Sequence, residues 1–197
     1  MGKLLGRLIM LVVLLAGVAA IVGVGSLVIG GISARQEPGQ FELAVGPRLR
    51  SLAIPTSAKQ AQNPVPASAE AIADGLAHFA DHCAICHAND GSGNTEIGKS
   101  LSPRVPDMRK AETQSLSDGE LFYIIENGVK LTGMLAWAHE DANDNWKLVH
   151  FIRHQPKLTP QELARMQALN PRAPAEDPMA EQGKSAPKPH THKEPHK

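Results

Sequence analysis

Phe79-Ala80-Asp81-His82-Cys83-Ala84-Ile85-Cys86-His87 contains both cysteines of the 197-residue chain. Ahead of the pair, Ile72, Leu76, Phe79 and Cys83 recur at helical spacing. That spacing predicts a helix over about 68–86, with two thiols and an imidazole gathered at its C-terminal end. Because both cysteines sit in one five-residue motif, no disulfide can join distant segments.

Three chemistries use a Cys-x-x-Cys. A thioredoxin-like redox pair sits near a βαβ pattern, which the flanking sequence lacks. Half a zinc site needs a second ligand pair, and there is no other cysteine. The third is c-type haem attachment, and the adjacent His87 selects it. Two thiols three residues apart each add to one porphyrin vinyl group, and the imidazole then faces the iron. Haem c, one group held covalently by Cys83, Cys86 and His87, is the expected cofactor.

The sixth iron ligand has to come from elsewhere in the chain. Met134 lies in Gly128-Val129-Lys130-Leu131-Thr132-Gly133-Met134-Leu135-Ala136-Trp137, a loop between two expected helices. Gly133 permits a tight turn there, and a thioether paired with histidine raises the reduction potential. Met108 and Met166 read as core filler. His78 and His82 share the side of the attachment helix that carries His87, while His139, His150 and His154 read as surface residues. Of these, His139 is the near-neighbour rival to Met134.

Outward from the motif, Ser117-x-x-Glu120 is a capping box that opens a helix running through Leu121, Ile124 and Ile125 to Asn127-Gly128. A further helix over about 140–154 turns Trp146, Val149 and Ile152 inward. Thr159-Pro160-x-Glu162 starts a short last helix ending near Leu169. The stretch over 98–112, with Pro103 and Pro106, is expected to be irregular. No strand pattern is present, so the domain over 67–170 is expected to be all-α.

Leu8 to Ile32 is a run of 25 uncharged residues. As a helix it spans about 37 Å, enough to cross a hydrocarbon core of about 30 Å. Lys3 and Arg7 precede it, which places the N-terminus inside and the rest of the chain outside. Residues 1–35 thus read as a single transmembrane anchor, or as an uncleaved signal. Residues 36–66, rich in Pro, Ala, Ser and Gln, read as a mostly extended linker with an end-to-end distance of about 30 Å. The hydrophobic pieces around Phe41–Val45 and Leu52–Ile54 are able to dock on something, which the sequence alone does not name. Residues 171–197 read as a disordered Pro/Lys/His-rich tail, where His190, His192 and His196 form a tract of the kind that binds metals weakly.

Charge is uneven. The chain is formally neutral, yet residues 67–156 hold seven Lys and Arg against thirteen Asp and Glu, a net of −6. That balance speaks against a nucleic-acid partner and is compatible with a partner presenting a basic docking face. With about 90 residues and few aromatics, the domain also needs apolar bulk that a buried porphyrin supplies.

Three blocks resemble the monohaem class I cytochrome c family over about 71–169: Phe79-x-x-x-Cys83-x-x-Cys86-His87, Leu121-Phe122-Tyr123-Ile124-Ile125-Glu126-Asn127-Gly128, and Thr132-Gly133-Met134-x-Ala136-Trp137. The resemblance implies a class I cytochrome c-like helical domain with His87 as proximal ligand and Met134 as distal ligand. It implies that the Pro103 carbonyl accepts a hydrogen bond from the proximal imidazole, and that Gly75 lets the first helix cross the third closely, against Trp146 or its neighbours. The residue after the ligand methionine, often proline in relatives, is Leu135 here.

Together these readings describe a single-electron carrier between respiratory-chain redox partners, not an enzyme, without a small-molecule substrate. Its donor and acceptor are expected to be membrane-bound. The chain is expected in the inner (cytoplasmic) membrane, single-pass, with the haem domain on the periplasmic side. The alternatives are a cytochrome c subunit of a larger membrane oxidoreductase complex and, from a different class, a haem-based sensor.

Overall fold

The structure, a computed structural model, describes residues 2–30 and 39–170. The expected tail and its histidines, and the junction over 31–38, lie outside the described residues. The chain divides into an N-terminal unit up to Glu37 and a second unit from Pro38 onward.

The first unit is helix α1 (Gly2–Gly30). Between Lys3 and Gly25 it is long and apolar enough to cross a membrane. Its leucines, valines and isoleucines fall on every side of the helix. A helix apolar on every side belongs in a protein core or in lipid.

The second unit holds the motif. Its elements are α2 (Gln40–Ala53), α3 (Thr56–Lys59), α4 (Ala69–His78), α5 (Ala84–His87), α6 (Glu96–Ser100), α7 (Ala111–Gln114), α8 (Asp118–Asn127), α9 (Ala142–His154) and α10 (Pro160–Leu169). There is no strand among the described residues, so the all-α expectation holds. The capping boxes do as their sequences require: Ser117 accepts from the Glu120 N–H at 3.1 Å while Glu120 accepts from the Ser117 N–H at 2.8 Å. Thr159 and Glu162 repeat the pattern at the start of α10.

The core lies between α4 and α9 and is closed by α8 and α10. Leu76, Phe79, Val149, Phe151 and Met166 are fully buried, and Met108 joins them as filler. Phe79 meets Phe151 at a ring separation of 5.1 Å, and Phe122 stacks on Trp146 at 3.9 Å. The expected close helix crossing is present at Gly75. A Cβ there would meet the Lys147 carbonyl carbon at 2.8 Å and the Phe151 Cβ at 2.9 Å, and the Lys147 oxygen closer still.

Two stretches depart from expectation. The segment read as mostly extended linker is helical in α2 and α3, and its second half is packed down. Ile54 is buried, the Asn63 side-chain amide donates to the Trp146 carbonyl at 3.0 Å, and a Cβ on Gly119 would strike the Ala58 and Ala61 carbonyls. Pro and Ala content suggested extension, but long-range backbone contacts decide the conformation. His150 and His154, read as surface residues, are half-buried: His150 Nε2 lies 2.8 Å from the Val65 carbonyl and His154 Nε2 lies 2.9 Å from Glu162.

A candidate haem-attachment site

The helix leading to the motif is not uniform. After α4 the chain makes one π turn over Phe79–Cys83, where the Ala84 N–H reaches back to the Phe79 carbonyl. It then resumes as α5. A single π turn inside an α-helix is a common mark of a functional site, and this one directly precedes the motif. An apolar spacing of three and four residues does not reveal the extra residue, so the sequence predicted an unbroken helix.

Cys83 and Cys86 are half-buried free thiols. Burial, with a smaller contribution from Cys86, pushes the Cys83 thiol up to about 12, and burial raises Cys86 as well. Neutral thiols of this kind are the opposite of the activated thiolate a redox pair uses. His87 is buried, with its ring 6.3 Å from that of Phe79. Desolvation pushes its pKa down to about 4, so the imidazole is neutral at pH 7. A neutral imidazole is the form that binds a metal.

The loop after the motif laces back onto it. Ala88 and the glycines at 91 and 93 all have positive φ, which turns the chain sharply at the helix end. The Gly93 N–H donates to the His87 carbonyl at 2.8 Å, and the Thr95 hydroxyl donates to the Cys86 carbonyl at 3.1 Å. A Cβ on Gly98 would sit 2.5 Å from that same Cys86 oxygen. The Cys86 and His87 carbonyls are therefore satisfied by the loop, which holds the backbone that carries His87. Arg109 secures the far end of this loop, at 2.7 Å from Asp90 and 2.9 Å from Asp107.

Met134 is half-buried in a second, equally tied loop. Gly128 ends α8 with φ 64°. The Val129 N–H donates to the Met134 carbonyl at 3.2 Å, the Met134 N–H donates to the Thr132 hydroxyl at 3.1 Å, and that hydroxyl donates to the Val129 carbonyl at 2.8 Å. Beyond Met134, the Trp137 N–H donates to the Ile125 carbonyl at 3.0 Å, and the buried Asn145 amide donates to Glu126 at 2.7 Å and to the Trp137 carbonyl at 3.1 Å.

Two contacts bring the pieces together. Gly133 lies against Leu101, where a Cβ would meet the leucine methyl at 2.8 Å, so the Met134 loop touches the segment that follows α6. The Trp137 ring lies 4.8 Å from His82 on the attachment helix and 5.6 Å from His139. His82 thus packs on the Met134 loop, a role the sequence did not suggest. His139 stays largely exposed beside Glu140. Pro103 is exposed on the intervening loop, and His87 Nδ1 is buried without a hydrogen-bond partner. The expected Pro103 hydrogen bond is therefore not formed in this structure.

The donor set fits a c-type haem: two neutral thiols three residues apart, a buried neutral imidazole and a thioether on a separate loop. Ile85, Ile97, Leu131 and Leu135 are all exposed apolar side chains on the motif, on α6 or on the Met134 loop, and a macrocycle is a partner of the right character for such a set. Arg153 escaped the sequence reading. It donates to Asp118 at 2.8 Å, to the Gln114 carbonyl at 2.8 Å and to the Leu116 carbonyl, joining α9 to the start of α8; a lone arginine in a helix gives no signal of such a role.

An all-helical unit with this motif and these two loops defines a c-type cytochrome domain. Residues 70–152 match the family model described as cytochrome C oxidase, cbb3-type, subunit III. A search of curated proteins finds no match.

Proposed function

We propose that the chain is a membrane-anchored monohaem electron carrier, with Cys83 and Cys86 as thioether donors and His87 and Met134 as axial ligands. The observation that supports this is a buried, neutral His87 on the attachment helix and a Met134 loop that is tied by its own hydrogen bonds and packs on that helix through Trp137 and His82. A bound haem c supplies a one-electron ferric/ferrous couple. The chain's part is to hold both axial side chains in place and to leave no site for a small-molecule substrate, so the protein is a carrier and not an enzyme. The helix over Lys3–Gly25 supports single-pass anchoring, and Lys3 and Arg7 ahead of it support a periplasmic haem domain in the inner membrane. The redox donor and acceptor are then membrane-bound proteins of a respiratory chain, met more often because the carrier is confined to the same surface.

The family match favours a second reading, in which the chain works as a cytochrome c subunit inside a larger membrane oxidase complex. Visible absorption of the detergent-extracted protein, oxidised and reduced, tests the shared core. A c-type spectrum with a weak far-red band when oxidised, and no response of the reduced form to carbon monoxide, is the expected result. Ready carbon monoxide binding overturns the Met134 assignment and brings the haem-sensor alternative forward. Co-purification with oxidase subunits in mild detergent decides between a lone carrier and a subunit.

A further inference from the structure

Helix α2 carries hydrophobic residues that the haem site does not use. Its inner side is the less exposed one: Pro47, Arg50 and Ser51 are half-buried, Ile54 just beyond the helix is buried, and Ser51 accepts from Lys59 at 3.3 Å. These positions are spaced four, three and one apart, so they cluster on one side. On the other side Leu49 is 59% and Leu52 80% exposed, with half-buried Val45 on the same stripe by spacing. Arg48 lies beside this stripe, exposed, and its guanidinium donates to the Ala44 carbonyl at 2.8 Å. The one acid, Glu42, is engaged with the Gly39 N–H at 2.9 Å.

Leu49 and Leu52 stand together on this side, while Leu43, 56% exposed, stands alone on the other. The paired leucines need a cover, and the chain itself limits what that cover is. Only residues 31–39 separate α1 from α2. At full extension they reach about 30 Å, so α2 cannot leave the vicinity of the surface from which α1 emerges. A short helix with an apolar stripe flanked by an exposed arginine, tethered at a bilayer, has the character of an interfacial helix. Arg48 suits anionic headgroups.

We propose that α2 lies in the membrane interface, with Leu49 and Leu52 among the acyl chains and Arg48 at the headgroups. The helix is then a second point of attachment. Because Ile54 and the segment behind it are packed on the cytochrome core, the haem domain is held close to the bilayer in a restricted orientation and does not swing on a flexible tether. This rests on the reading of α1 as a membrane anchor.

The test uses the full haem-loaded chain in vesicles of phosphatidylethanolamine and phosphatidylglycerol. Single-cysteine variants Leu49→Cys, Leu52→Cys, Leu43→Cys and Leu14→Cys are labelled with an environment-sensitive fluorophore. Each is then quenched by nitroxide-bearing lipid or by aqueous iodide. Labels at 49 and 52 are expected to emit at shorter wavelength, to be quenched by the lipid nitroxide and to lose iodide quenching, while the label at 43, on the other side, keeps iodide quenching. The label at 14 reports the anchor independently. Iodide quenching at 49 and 52 with lipid quenching at 14 overturns the interfacial helix and leaves the anchor standing. Protection of 49 and 52 from both quenchers shows that protein covers the stripe and also overturns it. If 14 is not in lipid, the anchor reading fails and the proposal fails with it.

Discussion

Replacing Gly75 by alanine tests the α4–α9 crossing on which the position of the attachment helix depends. The added Cβ would stand 2.8 Å from the Lys147 carbonyl carbon and 2.9 Å from the Phe151 Cβ, where ordinary contact starts at 3.4 Å. Two of the atoms struck are backbone, so a rotamer change offers no relief, and the helices must part by roughly 0.5–1 Å. Overpacking of this kind costs about 1–3 kcal/mol, and a clash with backbone belongs at the upper end. Alanine recovers about 1 kcal/mol over glycine in helix propensity. The net loss is about 2 kcal/mol, which for a domain of this size lowers the melting temperature by roughly 8–16 °C. The measurement is a thermal melt of the detergent-solubilised, haem-loaded chain, followed by fluorescence of Trp137 and Trp146, so that the anchor helix does not contribute. If the variant melts at or above the parent temperature, only helix propensity is acting. The close crossing is then absent, and the argument from Gly75 is wrong.

Under the proposed ligation, Met134→Ala is expected to keep a haem held by Cys83 and Cys86 but to lose the far-red band and bind carbon monoxide when reduced, both read by visible absorption. Thr132→Val removes the hydroxyl that bridges Met134 and Val129, a loss of about 1–2 kcal/mol of loop order. It is expected to give partial carbon monoxide binding without unfolding; a spectrum and carbon monoxide response like the parent's would show that the bridge does not hold the ligand. Burial raises the Asp107 pKa, but hydrogen bonds from Arg109 outweigh it and leave the carboxyl below its ordinary 3.8. Its stabilising effect is therefore complete above that value and lost as pH falls through the lower folded value. Asp107→Asn should flatten the acid limb of stability against pH, as measured by urea unfolding at stepped pH.

A helix leading to the motif and both capping-box helices were legible in the sequence, because each depends on local chemistry. Ser117 and Glu120 cap the helix they begin, and the Cys83, Cys86 and His87 spacing carries its own chemistry. What stayed hidden is set by contacts far apart along the chain. The Asn63 bond to Trp146 and the contact of Ala58 with Gly119 turn a proline-rich segment into part of the domain, and no window of sequence contains both partners. The π turn was hidden for another reason: one inserted residue barely alters an apolar spacing of three and four. Arg153 and His82 were opaque because a long polar side chain has several uses, and only its neighbours choose among them.

Leu135, where relatives often place proline, raises the question of what keeps the Met134 loop in shape. Proline stiffens a loop by reducing the freedom of the unfolded chain. The loop here obtains its order from the folded side. Gly128 allows the backbones of 128 and 134–136 to lie so close that a Cβ would meet the Met134 carbonyl at 2.6 Å. The Thr132 hydroxyl then bridges two backbone groups across the turn, and Asn145 pins its exit. A glycine, a threonine and an asparagine from α9 thus take over a task that one proline contributes to elsewhere. The consequence is that order at Met134 depends on α8 and α9 staying packed. A substitution in the α8–α9 core, such as Leu121→Ala, is therefore expected to weaken Met134 ligation, seen as carbon monoxide binding, before the covalent haem site itself is affected. If Leu121→Ala lowers stability while the response to carbon monoxide stays absent, the loop holds itself and that dependence does not exist.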